Sequence, residues 1–402
     1  MGSPCSSSKC SSCPRRLDHE EYPVSTIHWT DNDTPRSARW HSESAAPLPR
    51  RTVVADDRMK ADDAYRQACE GTALLWQGDF HNARQLLRAM GHRVDRKPPG
   101  PGTSPSESFH LHRRGSGHRA RVLGKLLVLL DDDYTLGLRR APDVRQACRE
   151  AYGPATGPTA VSLRELLGVI GAHQWRRRGV EVPALGARIH PHYGVFAPVR
   201  GEYVDLVART PLPPAARHGP TTSTAFDLGT GTGVLAAVLA HRGIRRVVAT
   251  DISPRALACA GENVHRLALS DRIEVSSDPG LYPEGRAHLV VCNPPWLPAR
   301  PTGPVEQGVY DPDGTMLHGF LTGLSAHLRP GGEGWLVLSD LAEHLDLRTR
   351  QQLLDAIGAA GLHVVGRSDT RPRHPRAKDT SDPLHAARSA ETTSLWRLAP
   401  AP

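Results

Sequence analysis

The sequence predicts an α/β fold for the C-terminal half of the chain, and three observations carry that expectation. Residues 225–251 read AFDLGTGTGVLAAVLAHRGIRRVVATD: a strand, a glycine turn, an Ala- and Leu-rich helix and a second strand. Residues 289–296, LVVCNPPW, form another apolar strand that ends in a proline-stiffened corner. From there to Leu398 helix and strand signals keep alternating, the pattern of a mostly parallel sheet covered by helices.

In the first stretch Gly229, Gly231 and Gly233 follow Asp227 and Leu228. Glycine at alternate positions lets the backbone turn sharply and lets a ligand approach without meeting a Cβ, while the next helix offers its free N–H groups. The second strand, Arg246 to Thr250, ends in Asp251, where an α/β nucleotide site places a carboxylate for ribose hydroxyls. A dinucleotide fingerprint wants glycine at 234, but the chain has Val234 and puts the glycine at 233, which weakens an NAD reading. Asp227 suits a cationic amino-acid group better than a pyrophosphate.

These residues resemble motif I of the class I S-adenosylmethionine-dependent methyltransferases, D-x-G-x-G-x-G, with Asp251 as the acid closing the second strand. Asn293-Pro294-Pro295-Trp296 resembles the [DN]-P-P-[FYW] motif of the members that modify planar nitrogen. The resemblance covers roughly 190–402 and implies a Rossmann-like sheet of seven strands, the last antiparallel. It implies S-adenosyl-L-methionine as cofactor, held by Asp227, Gly229, Thr230, Gly231, Gly233, Asp251, Ile252 and Asn293, with Asp278 reaching the adenine amino group. Asn293, Pro294, Pro295 and Trp296 are then the catalytic residues. A planar nitrogen has its lone pair delocalised, so two acceptors, the Asn293 side-chain oxygen and the Pro294 carbonyl, are needed to localise it for in-line attack. Trp296 offers a flat face to the target.

Elements elsewhere follow in chain order. Residues 1–57 mix Ser, Pro, Arg, His and acids without period and read as a disordered tail, with Met59 a candidate translation start. Cys5, Cys10 and Cys13 have a spacing similar to that of an iron–sulfur ligand set, but no fourth cysteine lies near, and no metal is expected. Seven cysteines without an apolar leader, and no run of about 18 apolar residues, point to a soluble, cytoplasmic protein with reduced thiols.

Residues 58–188 read as a mostly helical substrate-recognition domain. Residues 61–90 look like a helical hairpin, 94–118 like a Pro/Gly/Ser-rich connection with Arg113, Arg114 and Arg119 at its basic end, and 120–138 like an apolar helix or strand. Helices follow at 144–152 and 162–177, the second opened by Ser162 and Glu165 as a capping box. His190 and His192 are expected to pack, not to bind metal. Tyr193, Phe196 and Arg200, in a stretch loosely similar to one that closes over the cofactor in macromolecule-modifying relatives, are candidates for the cofactor pocket. Residues 189–402 form the catalytic domain: a helix 254–267 capped by Ser253, strand 272–277, the loop 297–310, a helix 316–328, a turn 328–332, and strands 334–339, 362–367 and 393–398. Tyr310-Asp311-Pro312-Asp313-Gly314 resembles the Gly-x-Asp-Gly-Leu box of release-factor glutamine methyltransferases, with Thr315 in place of Leu.

The formal charge is +8, and residues 58–190 carry the excess, with 22 Lys and Arg against 13 Asp and Glu. A basic recognition segment suits RNA or a ribonucleoprotein; an Arg-rich solvated surface gives the same composition. The expected activity is N-methylation of an exocyclic amine on a base in RNA or DNA. Its alternatives are N5-methylation of a glutamine in a translation protein, a small-molecule methyltransferase, and a catalytically inactive binding module. The basic insertion 371–388 could grip a phosphate backbone.

Overall fold

The computed structural model describes residues 25–96, 100, 102–217, 223–277, 280–373 and 379–402. Asp278, the three N-terminal cysteines and part of the 371–388 insertion lie outside the described residues.

The N-terminal unit is a six-stranded sheet with helices, not a helical domain. Its elements are β1 (Thr26–Asp31), β2 (Thr34–Trp40), β3 (Arg51–Ala55), α1 (Ala61–Cys69), β4 (Thr72–Trp76), α2 (Phe80–Val94), α3 (Pro105–Leu123), β5 (Leu126–Leu130), α4 (Arg145–Tyr152), β6 (Thr159–Ser162) and α5 (Leu163–Arg178). The strand order is β1-β2-β6-β5-β4-β3, and β1 also packs against β3. Residues 25–57, expected as a disordered tail, therefore supply half the strands, and a chain begun at Met59 would lack them.

The helical expectation fails at β4 and β5 for one reason. TALLW is buried at all five positions and LLVLL at four, because the sheet carries side chains on both faces, so neither strand alternates. One face packs under the helices through Leu74, Leu126, Phe80 and Met90; the other holds Ile27, Trp29, Leu75 and Leu127. The expected 94–118 connection is largely α3: Ser104 Oγ accepts from the Glu107 N–H, Pro105 opens the first turn, and Phe109, 1% exposed, anchors the helix despite Gly115 and Gly117.

Two short antiparallel strands, β7 (Val180–Val182) and β8 (Ala187–Ile189), lead into the C-terminal unit. There α6 (Glu202–Arg209) and α7 (Pro214–Arg217) precede β9 (Thr224–Leu228), α8 (Val234–His241), β10 (Arg246–Thr250), α9 (Pro254–Arg266), β11 (Ile273–Val275), β12 (Ala287–Cys292), α10 (Thr315–His327), β13 (Leu328–Ser339), α11 (Leu341–His344), α12 (Arg350–Ala359), β14 (Leu362–Thr370), α13 (His385–Ala390) and β15 (Thr393–Pro400). The seven strands run β11-β10-β9-β12-β13-β15-β14, with β15 antiparallel to both neighbours, the expected Rossmann-like methyltransferase sheet. Residues 328–332, expected as a turn, belong to the long β13. Every residue of α8 from Val234 to Ala240 is buried, which explains why that helix carries no polar stripe.

The two units touch in two places. Arg255, in the first turn of α9, pairs with Glu43 at 2.9 Å and donates to the Ala151 carbonyl. On the other side Phe109 of α3 enters a cluster with Leu297, Leu341, Leu345 and Leu384. Arg113 lies 3.9 Å from the Tyr310 ring centroid and donates to the Arg300 carbonyl at 2.6 Å.

Candidate active site

Register alone brings the two sequence motifs together. Leu228 at the end of β9 pairs with Thr250 of β10 on one side and Cys292 of β12 on the other. The residues that follow, Asp251, Gly229 and Asn293, therefore leave the sheet side by side at one edge, at neighbouring-strand spacings of about 5 Å.

The glycine turn is built as its residue types require. Gly229, Gly231 and Gly233 have φ of 68°, 55° and 79°, where a side chain is strained. A Cβ on Gly229 would strike the Met316 methyl and one on Gly233 would crowd Ala260, while one on Gly231 would meet nothing within 4 Å. The Gly231 face is thus the open one. Thr230 donates its N–H to the Thr250 carbonyl, tying the turn to β10.

Asp227 and Asp251 hold this turn from either end. Asp227 is 1% exposed, and its Oδ2 accepts from Thr230 Oγ1 at 2.6 Å and from the Ala236 N–H at 2.9 Å. Burial, aided by the nearby Asp251 charge, pushes its carboxyl up to about 6 against those two bonds. Asp251 accepts from the Gly231 N–H on Oδ2 and the Ser253 N–H on Oδ1, both at 2.9 Å. Burial raises its carboxyl too. The Asp251 carboxylate keeps acceptor capacity beyond its backbone bonds for a ribose hydroxyl. Beside it Ile252 stands 84% exposed, an apolar side chain displayed at the mouth of the sheet. An adenosine group fits this set: hydroxyls on Asp251, a flat base on Ile252, and the chain beyond it along the open face of Gly231.

At the end of β12, Asn293 and Trp296 are half-buried and Pro294 is buried. The indole Nε1–H of Trp296 donates to Asn293 Oδ1 at 2.9 Å. Trp296 packs against the hydrophobic clusters on both faces of the sheet, with the Arg200 guanidinium 6.0 Å from its ring centroid, so it is wedged in place and presents less open face than the sequence suggests. Arg200 is paired at 3.3 Å with Glu391, a 1% exposed carboxylate that also accepts from Ser339 Oγ. Burial raises the Glu391 carboxyl, against the pull of Arg200.

The remaining candidates surround this edge. Phe196 meets Gly308 in the loop after Trp296, and Tyr193 lies beneath Arg255, 5.5 Å from its ring centroid, on the N-terminal unit. His190 bonds the Arg176 carbonyl and His192 pairs with Glu262, so both are packing residues. The Ser162–Glu165 capping box does not form: Glu165 accepts instead from Tyr152 and from the Glu43 N–H. Sequence reasoning misses Glu391, Met316, Glu43, Arg255 and the Arg113–Tyr310 stack. Their partnerships form through space between segments far apart in the chain, such as Arg255 with Glu43 and Glu391 with Arg200, and no local signal marks them.

Residues 187–360 match the family described as methyltransferase small domain. A release factor glutamine methyltransferase from Cereibacter sphaeroides is 34% identical over 164 residues, covering 38% of this chain and 58% of its own length. A ribosomal protein L11 methyltransferase from Vibrio parahaemolyticus is 35% identical over 94 residues, covering 23% of this chain and 32% of its own. The chain thus spans less than two thirds of either relative. A solved S-adenosylmethionine-dependent methyltransferase from Geobacter sulfurreducens, in complex with S-adenosyl-L-homocysteine, overlaps 55% of this chain and 99% of its own at 19% identity and a TM-score of 0.33. That overlap is too loose to place a ligand.

Proposed function

We propose that this chain, whose residues 187–360 match the methyltransferase small domain family, is an S-adenosylmethionine-dependent N-methyltransferase acting on the side-chain amide of a protein substrate. The observation that carries the reading is the place of Asn293: an amide oxygen one strand from the glycine turn, held by a donor-only indole so that it presents an acceptor. When bound, S-adenosylmethionine supplies a sulfonium methyl; the N–C bond forms as the S–C bond breaks, and the displaced N–H proton leaves to solvent.

The chain's own residues would do the rest. Asp251 takes the ribose hydroxyls, Ile252 covers the adenine, and the Gly229 to Gly233 turn lets the amino-acid part lie against the backbone with Asp227 behind it. Asn293 Oδ1 and the Pro294 carbonyl accept the target N–H groups and turn the nitrogen lone pair toward the methyl.

Two considerations favour a protein amide over a nucleic-acid base. The relatives are named for a release factor and a ribosomal protein. Several arginines of the middle segment are also engaged by carboxylates: Arg93 with Asp62, Arg119 with Asp95, Arg140 with Asp79, Arg145 with Asp143 and Arg176 with Glu262. An arginine held by a neighbouring carboxylate contributes little field for phosphate. The N-terminal unit then serves as the platform for the protein substrate.

The test is transfer of labelled methyl from S-adenosylmethionine into a lysate of cells lacking the gene, followed by separate nuclease and protease digestion. Label released only by protease, and recovered as methylated glutamine, is expected. Label released by nuclease would return the target to a base.

A further inference from the structure

An asparagine amide is nearly symmetric in shape, with an acceptor at one end and a donor at the other, and its terminal torsion is soft. An Asn293 turned the wrong way would offer N–H groups to a target that also offers N–H groups, and the site would repel what it should hold. Something has to choose the end.

The indole Nε1–H of Trp296 is a donor and cannot accept, so the Asn293 atom 2.9 Å from it is the carbonyl oxygen. That bond uses one of the two lone pairs of Oδ1 and leaves the second for a target N–H. The indole in turn is fixed from its own side. It packs against the clusters on both faces of the sheet, Arg200 lies over it, and buried Glu391 with Ser339 Oγ holds Arg200. Phenylalanine at 296 has no donor, and a tyrosine hydroxyl would sit at the far tip of its ring instead of at the indole nitrogen.

We propose that Trp296 is a positioning residue, whose indole N–H sets the Asn293 amide with its oxygen toward the target, and that this outweighs any stacking of the ring on substrate. The proposal rests on the amide N-methyltransferase reading above.

Trp296→Phe keeps the aromatic ring and removes the donor. Its kcat is expected to fall about tenfold, the worth of one hydrogen bond of ~1.4 kcal/mol, with KM for the protein substrate and cofactor affinity within about twofold of wild type. A raised KM at unchanged kcat would make the ring a stacking platform and overturn the proposal, as would no change in either.

A second measurement avoids dependence on the variant's folding. In ¹⁵N-labelled wild-type protein the assigned Trp296 indole N–H should exchange slowly with solvent, and its resonance should move on Asn293→Ala. Exchange at the rate of a free indole, with no response to Asn293→Ala, would overturn the proposal. A bonded indole in an enzyme that methylates no side-chain amide would instead overturn the functional reading, and the positioning role with it, while leaving the Trp296–Asn293 pair standing.

Discussion

Asp79 and Asp227 are both essentially unexposed acids between a parallel strand and the helix that follows it: Asp79 lies beyond β4 and directly before α2, Asp227 within the end of β9, ahead of the glycine turn and α8. Asp79 caps α2, accepting from the His81 and Asn82 N–H groups, and is paired with Arg140 at 2.5 Å and Arg139 at 3.4 Å. The Arg140 guanidinium holds its carboxyl far below the usual carboxylate range. Asp227 accepts from a backbone N–H and a threonine hydroxyl, has no cationic partner among the described residues, and is pushed up to about 6. The N-terminal sheet thus neutralises its buried acid with its own arginines. The C-terminal sheet leaves its acid without a counter-charge, beside a turn with one open face. A scaffold completes its own electrostatics; on the proposed reading the C-terminal site leaves that counter-charge to its cationic ligand.

Four substitutions sharpen or break that contrast, beginning with the largest effect. Asn293→Ala removes the acceptor at the reacting nitrogen and should lower kcat by about 10²–10³, the cost of losing one aligned polar group at a developing charge. Cofactor affinity measured by calorimetry should stay near wild type. An equal loss of cofactor affinity would make Asn293 a structural residue of the turn.

The two acids should respond to pH with opposite sign. Asp227 keeps its proton to about pH 6 in the folded chain, whereas the unfolded chain releases it near 4. The folded state therefore binds the extra proton between these values, and stability falls as pH rises through that window, by roughly 3 kcal/mol in all. For Asp79 the folded value is depressed, so its contribution is complete above the unfolded value near 4 and is lost as pH falls below it. Urea unfolding of wild type and Asp227→Asn from about pH 4 to 7 should show wild type losing ground steadily as pH rises. A pH-independent difference would mean that Asp227 is ionised throughout and that the contrast with Asp79 is false.

What could be read from the sequence divides along the same line. Gly229 to Gly233, Asp251 and Asn293 to Trp296 stand out in the sequence because particular residue types lie next to one another in the chain, and the structure brings these segments to one edge of the sheet, where the proposed chemistry would use them. The C-terminal sheet was legible because turn chemistry and capping residues, such as Ser253 before Pro254, punctuate it. The N-terminal sheet was not. In β1, Ile27 and Trp29 alternate as a half-buried strand should, but within a segment whose composition otherwise resembles disorder. β4 and β5 are short apolar runs, broken only by Thr72, because both faces are covered, and such a run does not distinguish helix from strand. Arg200 stands in a stretch the sequence singles out, but its partner Glu391 and the Arg113–Tyr310 stack come together only through tertiary contacts, which no local pattern encodes.

Asp251→Ala should weaken cofactor binding by about 10- to 100-fold, the loss of hydrogen bonds from hydroxyls to a charged acceptor, with kcat at saturating cofactor nearly unchanged. Equilibrium dialysis with labelled S-adenosylmethionine checks it. Unchanged affinity would remove Asp251 from the cofactor site and leave it, like Asp79, a strut for its own loop.

The smallest effect is expected where the two units meet over the loop that follows Trp296. Arg113 stacks on Tyr310, donates to the Arg300 carbonyl and lies 3.6 Å from Glu306, so one α3 side chain grips three points of residues 300–310. Its side chain is 18% exposed and that of Glu306 38%, which leaves the ion pair a minor part and the stack and carbonyl bond the larger. Arg113→Ala should loosen the loop without touching the glycine turn, and together these contacts are worth about 1 kcal/mol. The expected result is a rise of a few-fold in KM for the protein substrate, at constant kcat and constant cofactor affinity. If kcat fell instead, the N-terminal sheet would be shaping the reacting geometry, and the division between a self-completed scaffold and a ligand-completed site would have to be redrawn with α3 on the catalytic side.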